Sequence, residues 1–221
     1  MKKTAIVIAL LSSVAASGVA NAANSQATMK LEGSIVPATC NIKVNGSTSS
    51  TLSLGKITAA QLELNGGTTL LPNKTVNLNI TCPSPTFVGF QVMDLGEKAG
   101  QVDLSGLKDT GLFSLGTTKS GAIVGGYFIN LESGKIDAKK VANFISSETS
   151  GDKWSKFTGK LDAMKKSIYS WTTESAISSP SIGFSHEVGL TIHPYINPLS
   201  ASDAADKIEL RGEATYDLVY L

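Results

Sequence analysis

Two histidines, two cysteines and a group of mid-chain aromatics are the residues whose types could do chemistry in this chain. An imidazole works as a base or a ligand only beside a second group at usable spacing. His186 is followed by Glu187, but neighbours on a strand project to opposite faces, so the two do not make half of a catalytic triad. His193 precedes Pro194 on a predicted strand, with Leu190 and Ile192 alternating on the other face, and is expected on the solvated side. No G-x-S-x-G, H-E-x-x-H, phosphate-binding glycine loop or C-x-x-C occurs. Cys40 and Cys82 lack a second Cys or His at ligand spacing, which argues against zinc. No catalytic residue, metal or cofactor is expected.

Trp154, Phe157, Tyr169 and Trp171 gather amid lysine-rich loops. Aromatics set among polar groups are what sugar-binding surfaces use, although filling a core or covering a sheet is the commoner fate of any single one of them. The run Ser147 to Trp154 resembles an Asp-box turn with threonine in place of the aspartate. It reads as a hairpin whose glycine permits positive φ while the tryptophan packs beneath. The sequons at Asn45, Asn73 and Asn79 carry little weight, because such tripeptides arise by chance.

The first residues say where the chain works. Lys2 and Lys3 precede the apolar run Ala5 to Leu11, and Ala20-Asn21-Ala22 has the small-x-small form of a signal peptidase site. The run is too short to span a bilayer, so residues 1–22 read as a cleaved signal peptide and 23–221 as one mature domain. Losing Lys2 and Lys3 takes the net charge from +1 to −1. No basic tract remains, which argues against nucleic acid as a partner. In an exported chain an even cysteine pair is expected to be bridged, so Cys40 and Cys82 should form a disulfide.

The elements that must position these residues are mostly strands. Alternation marks Thr28 to Val36, Cys40 to Val44, Leu52 to Ile57, Thr75 to Cys82, Thr86 to Met93, Ala122 to Leu131, Val141 to Ser147, Trp154 to Phe157, Ser167 to Thr172 and Glu187 to Ile196. Short helices are expected over Thr58 to Leu64 and Ala163 to Ser167. Many short strands between turn-rich segments imply an antiparallel sandwich. The last fourteen residues alternate most regularly. Ile208, Leu210, Gly212, Ala214, Tyr216, Leu218 and Tyr220 share one face, and charged or polar residues share the other as far as Asp217. Both faces turn apolar at Val219-Tyr220-Leu221, and such an end asks for a partner.

These segments together resemble chaperone–usher pilins. Leu31-Glu32-Gly33-Ser34-Ile35-Val36 leading to Cys40 looks like the start of such subunits. Cys82 at the close of Val76 to Cys82, the Leu52-Ser53-Leu54-Gly55-Lys56-Ile57 run and the penultimate Tyr220 fit the same pattern. Over its whole length the chain is similar to a poorly characterised pilin-like family of β-type fimbriae. Phe113-Ser114-Leu115-Gly116, Gly125-Gly126-Tyr127 and Asp217 to Leu221 carry that likeness.

The resemblance implies an all-β, incomplete immunoglobulin-like sandwich lacking its last strand, with hairpin insertions. It implies a structural subunit of a surface fimbrium that polymerises by donor-strand complementation and contributes to cell adhesion. Ala214, Tyr216, Leu218, Tyr220 and Leu221 would line the groove for a chaperone or donor strand. The carboxylate of Leu221 would anchor in a basic cleft of the chaperone. Ala27, Met29 and Leu31 would form the donor arm within 23–31, or else belong to the subunit's own first strand. The implied partners are a periplasmic pilus chaperone, an outer-membrane usher, neighbouring pilin subunits and a host glycan or protein receptor. The alternative is a self-contained periplasmic or surface binding protein acting through the Trp154–Trp171 region.

Overall fold

The computed structural model describes residues 28–34, 39–62, 67–104, 107–108, 111–148, 151–177, 179–205 and 207–221. By packing, the chain divides into two units, Met1–Val36 and Pro37–Leu221. In the first, residues 28–34 are exposed and have no regular secondary structure, so the predicted strand does not form across them. Met29 is 86% exposed and Leu31 91%. Alternation makes a strand only where a neighbour takes its backbone hydrogen bonds. Ala27 and the leader expected over 1–22 lie outside the described residues.

The second unit is all-β, with two antiparallel sheets. In the first sheet β1 (Asn41–Val44), β3 (Lys74–Thr86), β13 (Gly183–Ile196), β8 (Gly125–Ile136) and β7 (Phe113–Ser114) lie in that order. Two short strands join it, β2 (Thr69–Leu70) on β13 and β9 (Lys139–Lys140) on β8. The second sheet runs β11 (Ser155–Lys156), β10 (Asn143–Glu148), β12 (Ser167–Thr172), β4 (Val88–Asp94), β14 (Ala214–Tyr220). A separate hairpin, β5 (Asp103–Leu104) with β6 (Leu107–Lys108), is an insertion of the expected kind. One short helix, α1, spans Ala201–Ala205.

Strand β3 shows why the sheets face each other. Val76, Leu78, Ile80 and Cys82 are buried while Thr75, Asn77 and Thr81 are exposed. Against them the second sheet turns Phe90, Val92, Tyr169 and Trp171. The Phe90 ring lies 5.7 Å from that of Tyr169 and 6.2 Å from that of Trp171. Each such side chain contributes roughly 1.5–3 kcal/mol by leaving water. The Gly125-Gly126 pair has a steric reason. A Cβ on Gly125 would stand 2.2 Å from the Tyr195 carbonyl oxygen, and one on Gly126 2.5 Å from that of Phe113. Only glycine lets β7, β8 and β13 come this close.

Cys40 and Cys82 are bridged, which ties the start of β1 to β3. The Asp-box-like segment closes the β10–β11 hairpin, with Gly151 at φ +73° and Trp154 half-buried. Four expectations need correcting. Leu52 to Ile57 forms no ladder, although Leu52 and Leu54 are half-buried with exposed neighbours. The terminal strand starts at Ala214 rather than Ile208. The predicted helix over Ala163 to Ser167 does not form, and within the described part of Thr58 to Leu64, residues 58–62, only Ala59–Gln61 is helical, as one 3-10 turn.

Candidate functional site

Strand β14 pairs with β4 and, among the described residues, with no other strand. The hydrogen bonds just beyond its ends reveal which way its backbone faces. The Leu95 amide donates to the Glu213 carbonyl at 2.9 Å, and the Leu221 amide to the Phe87 carbonyl at 3.1 Å. In an antiparallel pair such residues alternate, so Thr215, Asp217 and Val219 also bond to β4. The N–H and C=O of Ala214, Tyr216, Leu218 and Tyr220 therefore point to the open side. The same four carry the side chains of the apolar face. Ala214, Tyr216 and Leu218 pack on the main core, and the Tyr216 ring meets Phe90 edge-on at 5.8 Å. Burial pushes the Tyr216 hydroxyl well above its ordinary pKa, so it stays neutral. On the outer face Asp217 is paired with Lys165.

Beside this edge lies a cleft of about 1300 Å³. Its floor includes Leu115, Val124, Tyr127 and Ile129, and its far wall is made by Ile42, Val44, Leu52 and Leu54. The near wall holds Ile208, Leu210, Ala214 and Tyr216. Lys56, Lys74, Lys207 and Arg211 stand on its borders against Glu209 and Glu213. The exposed Glu209 carboxylate is held below its ordinary pKa by hydrogen bonds from Arg211 and then Lys207. Gly212 presses on the floor, because a Cβ there would lie 2.7 Å from the Tyr127 ring and 3.0 Å from the Ser114 carbonyl oxygen.

Of the residues expected in the groove, Ala214 and Tyr216 line this cleft. Leu218, Tyr220 and Leu221 continue the strand past its lining. Tyr220 accepts the Cys40 amide through its hydroxyl at 2.8 Å. Sequence reasoning named no residue of the far wall. Its only signal was the alternation of Leu52 and Leu54, which gives a buried face without saying what faces it.

The remaining candidate residues fill the core. Trp171 and Tyr169 are buried, Phe157 packs edge-on against Tyr169 at 4.9 Å, and Trp154 is half-buried. The four do not make an aromatic binding surface, which corrects the Trp154–Trp171 alternative. His193 is not solvated as expected, since its ring stacks on Phe128 at 4.6 Å. His186 is fully buried between the sheets. An indole nitrogen can only donate, so Trp171 Nε1 donates to His186 Nδ1 at 3.1 Å, and His186 Nε2 donates to the Gly183 carbonyl at 3.1 Å. Both ring nitrogens are used and the imidazole must be neutral. Among the described residues no cluster of His, Cys, Asp and Glu is placed to hold a metal ion.

The buried imidazole makes stability depend on pH. Desolvation lowers the His186 pKa below its ordinary 6.5, whereas the unfolded chain takes up the proton near that value. The stabilisation is present above the unfolded pKa and is lost as pH falls from there towards the folded pKa. The slope is bounded by about 1.4 kcal/mol per pH unit, the limit for one proton. Urea unfolding from pH 7.5 to 5.5 should show it in the wild type, and His186→Gln should lose that part. Equal slopes would reject the assignment.

No protein-family model and no curated protein matches this chain. Among solved structures it is similar to the P pilus rod subunit PapA at 11% identity and a TM-score of 0.43, over 82% of this chain and 99% of that one. No helix among the described residues is long and apolar enough to cross a membrane.

Proposed function

We propose that this chain is a structural subunit of a chaperone–usher fimbrium, exported to the cell surface after removal of residues 1–22. Its cleft receives a strand from another chain: a periplasmic chaperone during folding, then the arm of a neighbouring subunit delivered at an outer-membrane usher. One observation carries the reading. Among the described residues the last strand pairs with β4 alone and turns its other backbone edge toward a large cleft with apolar walls. An edge of that kind pairs with whatever strand is offered unless something covers it. The donor arm is assigned to Ala27, Met29 and Leu31, and adhesion follows from display on the fibre.

Backbone parity supplies the test. Proline at 214 removes an amide that faces the cleft and leaves the pairing with β4 intact, at the first residue of a strand where proline is tolerated. Proline at 215 removes an amide bonded to β4. Ala214→Pro should fold with a wild-type circular dichroism spectrum, yet bind a co-expressed periplasmic chaperone at least about tenfold more weakly, the loss of one net hydrogen bond plus fit. Thr215→Pro should unfold. Capture of Ala214→Pro at the wild-type level would reject strand addition on this edge.

A further inference from the structure

Resting on the reading of the cleft as a strand acceptor, we propose that Tyr220 is its stop. The hydroxyl of Tyr220, bonded to the Cys40 amide, closes one end of the cleft and sets how far the strand of a second copy can run along β14.

The edge of β1 that faces away from β3 has little backbone left to offer. The Asn45 amide donates to the Asn77 carbonyl at 2.8 Å. In the antiparallel β1–β3 register this directs the backbone of Asn41 and Lys43 to β3 and that of Cys40, Ile42 and Val44 outward. Two of those three outward positions are already used. Val44 exchanges both of its bonds with Ser47, at 2.7 and 3.1 Å. Cys40 gives its amide to Tyr220 at 2.8 Å. Only Ile42 is left to pair with an incoming backbone on this wall.

Burial does not explain the Tyr220 contact, since the residue is 49% exposed and water could serve its hydroxyl. Both anchors are firm. Cys40 is locked to Cys82 on β3, and Tyr220 is flanked by Val219, paired with Gly89, and by Leu221, whose amide bonds to Phe87. The lining of the cleft stops short of this contact, at Tyr216 on one wall, with Leu218 between it and Tyr220, and at Ile42 on the other. An incoming strand therefore pairs with Ala214 and Tyr216 and halts before Tyr220. A second copy is the occupant because this chain carries its own alternating apolar segment, Ala27, Met29 and Leu31, of the short length such a cleft admits.

Tyr220→Phe keeps the ring and removes the acceptor. The full-length wild type and this variant are compared by amide hydrogen exchange, alone and with a synthetic peptide of residues 23–34. Alone, the Cys40 amide should exchange roughly two- to tenfold faster in the variant, the effect of losing one net hydrogen bond. With peptide, both proteins should gain protection at Ala214 and Tyr216, and only the variant should gain it at Cys40 and Tyr220. Unchanged Cys40 exchange in the variant, or one peptide footprint shared by both proteins, overturns the stop while leaving strand addition standing. No footprint in either protein overturns the stop and removes residues 23–34 as the occupant.

Discussion

Joining residues 23–34 to the end of the chain through a Gly/Ser linker should turn an association-prone protein into a stable monomer. A linker of about ten residues reaches roughly 17 Å on average, enough to bring the segment back alongside β14. Met29 and Leu31 would then exchange solvent for the cleft, and Ala27 would add a smaller amount. Gross burial is about 4–6 kcal/mol at about 1.5–3 kcal/mol for each large side chain. Ordering the strand costs free energy that its new backbone hydrogen bonds along β14 offset in part, so a fraction of that burial survives. At about 2–4 °C per kcal/mol for a chain of this size, each surviving kcal/mol should appear as a rise in Tm. The same fusion with Ala27, Met29 and Leu31 all changed to Asp should show no rise. Differential scanning calorimetry and gel filtration give both answers. Equal Tm for the two fusions would remove the arm from the mechanism, although a chaperone strand could still occupy the cleft.

This experiment also probes a part of the molecule that alternation misreads. Leu52 to Ile57 and Ile208 to Gly212 have the period of strands, yet neither forms a ladder. Period two reports a dry face and a wet face, whereas a strand also requires a neighbour for its backbone. Thr75 to Cys82 and Ser167 to Thr172 were legible because that neighbour lies within the chain, on β13 and β1 in one case and on β10 and β4 in the other. The two misread segments border the cleft. In the proposed function their missing neighbour belongs to another polypeptide, so the same pattern that overstates the fold marks the site.

Other features could not be read in advance for simpler reasons. β2, β5, β6, β7 and β9 have two residues each, too few for any period to show. The start of β13 is masked by a bulge between Gly183 and Ser185, which breaks the alternation just where His186 turns inward. Its burial depends on the Trp171 indole, fifteen residues away in sequence and on the opposite sheet. Nothing local in either segment announces that pairing. The disulfide was legible by a different route, since the leader implied an oxidising compartment and only two cysteines were present.

Removing that disulfide should damage the site more than the core. β1 has only four residues, sits at the edge of its sheet and, among the described strands, pairs with β3 alone. A strand so short gains little from its own ladder, and the Cys40–Cys82 bond is what holds its first turn of chain against β3. Ile42 and Val44 furnish part of the far wall of the cleft, and Cys40 supplies the amide that Tyr220 caps. The double variant Cys40→Ser, Cys82→Ser should lose about 2–5 kcal/mol in urea unfolding, as is usual for a native bridge. The central strands β3, β13, β8, β4 and β12 do not depend on it, so the far-ultraviolet spectrum at low denaturant should be retained. Capture of a partner strand should nevertheless fall by more than the stability loss alone accounts for, because one wall of the acceptor has detached from a sandwich that remains folded. Hydrogen exchange localises the effect: amides of β1 should lose protection by several orders more than those of β3. If β1 stays as protected as β3 without the bridge, its ladder is sufficient and the cleft does not rely on the cysteines. If the whole sandwich melts at once, the bridge belongs to the core and the far wall has no separate weakness to exploit.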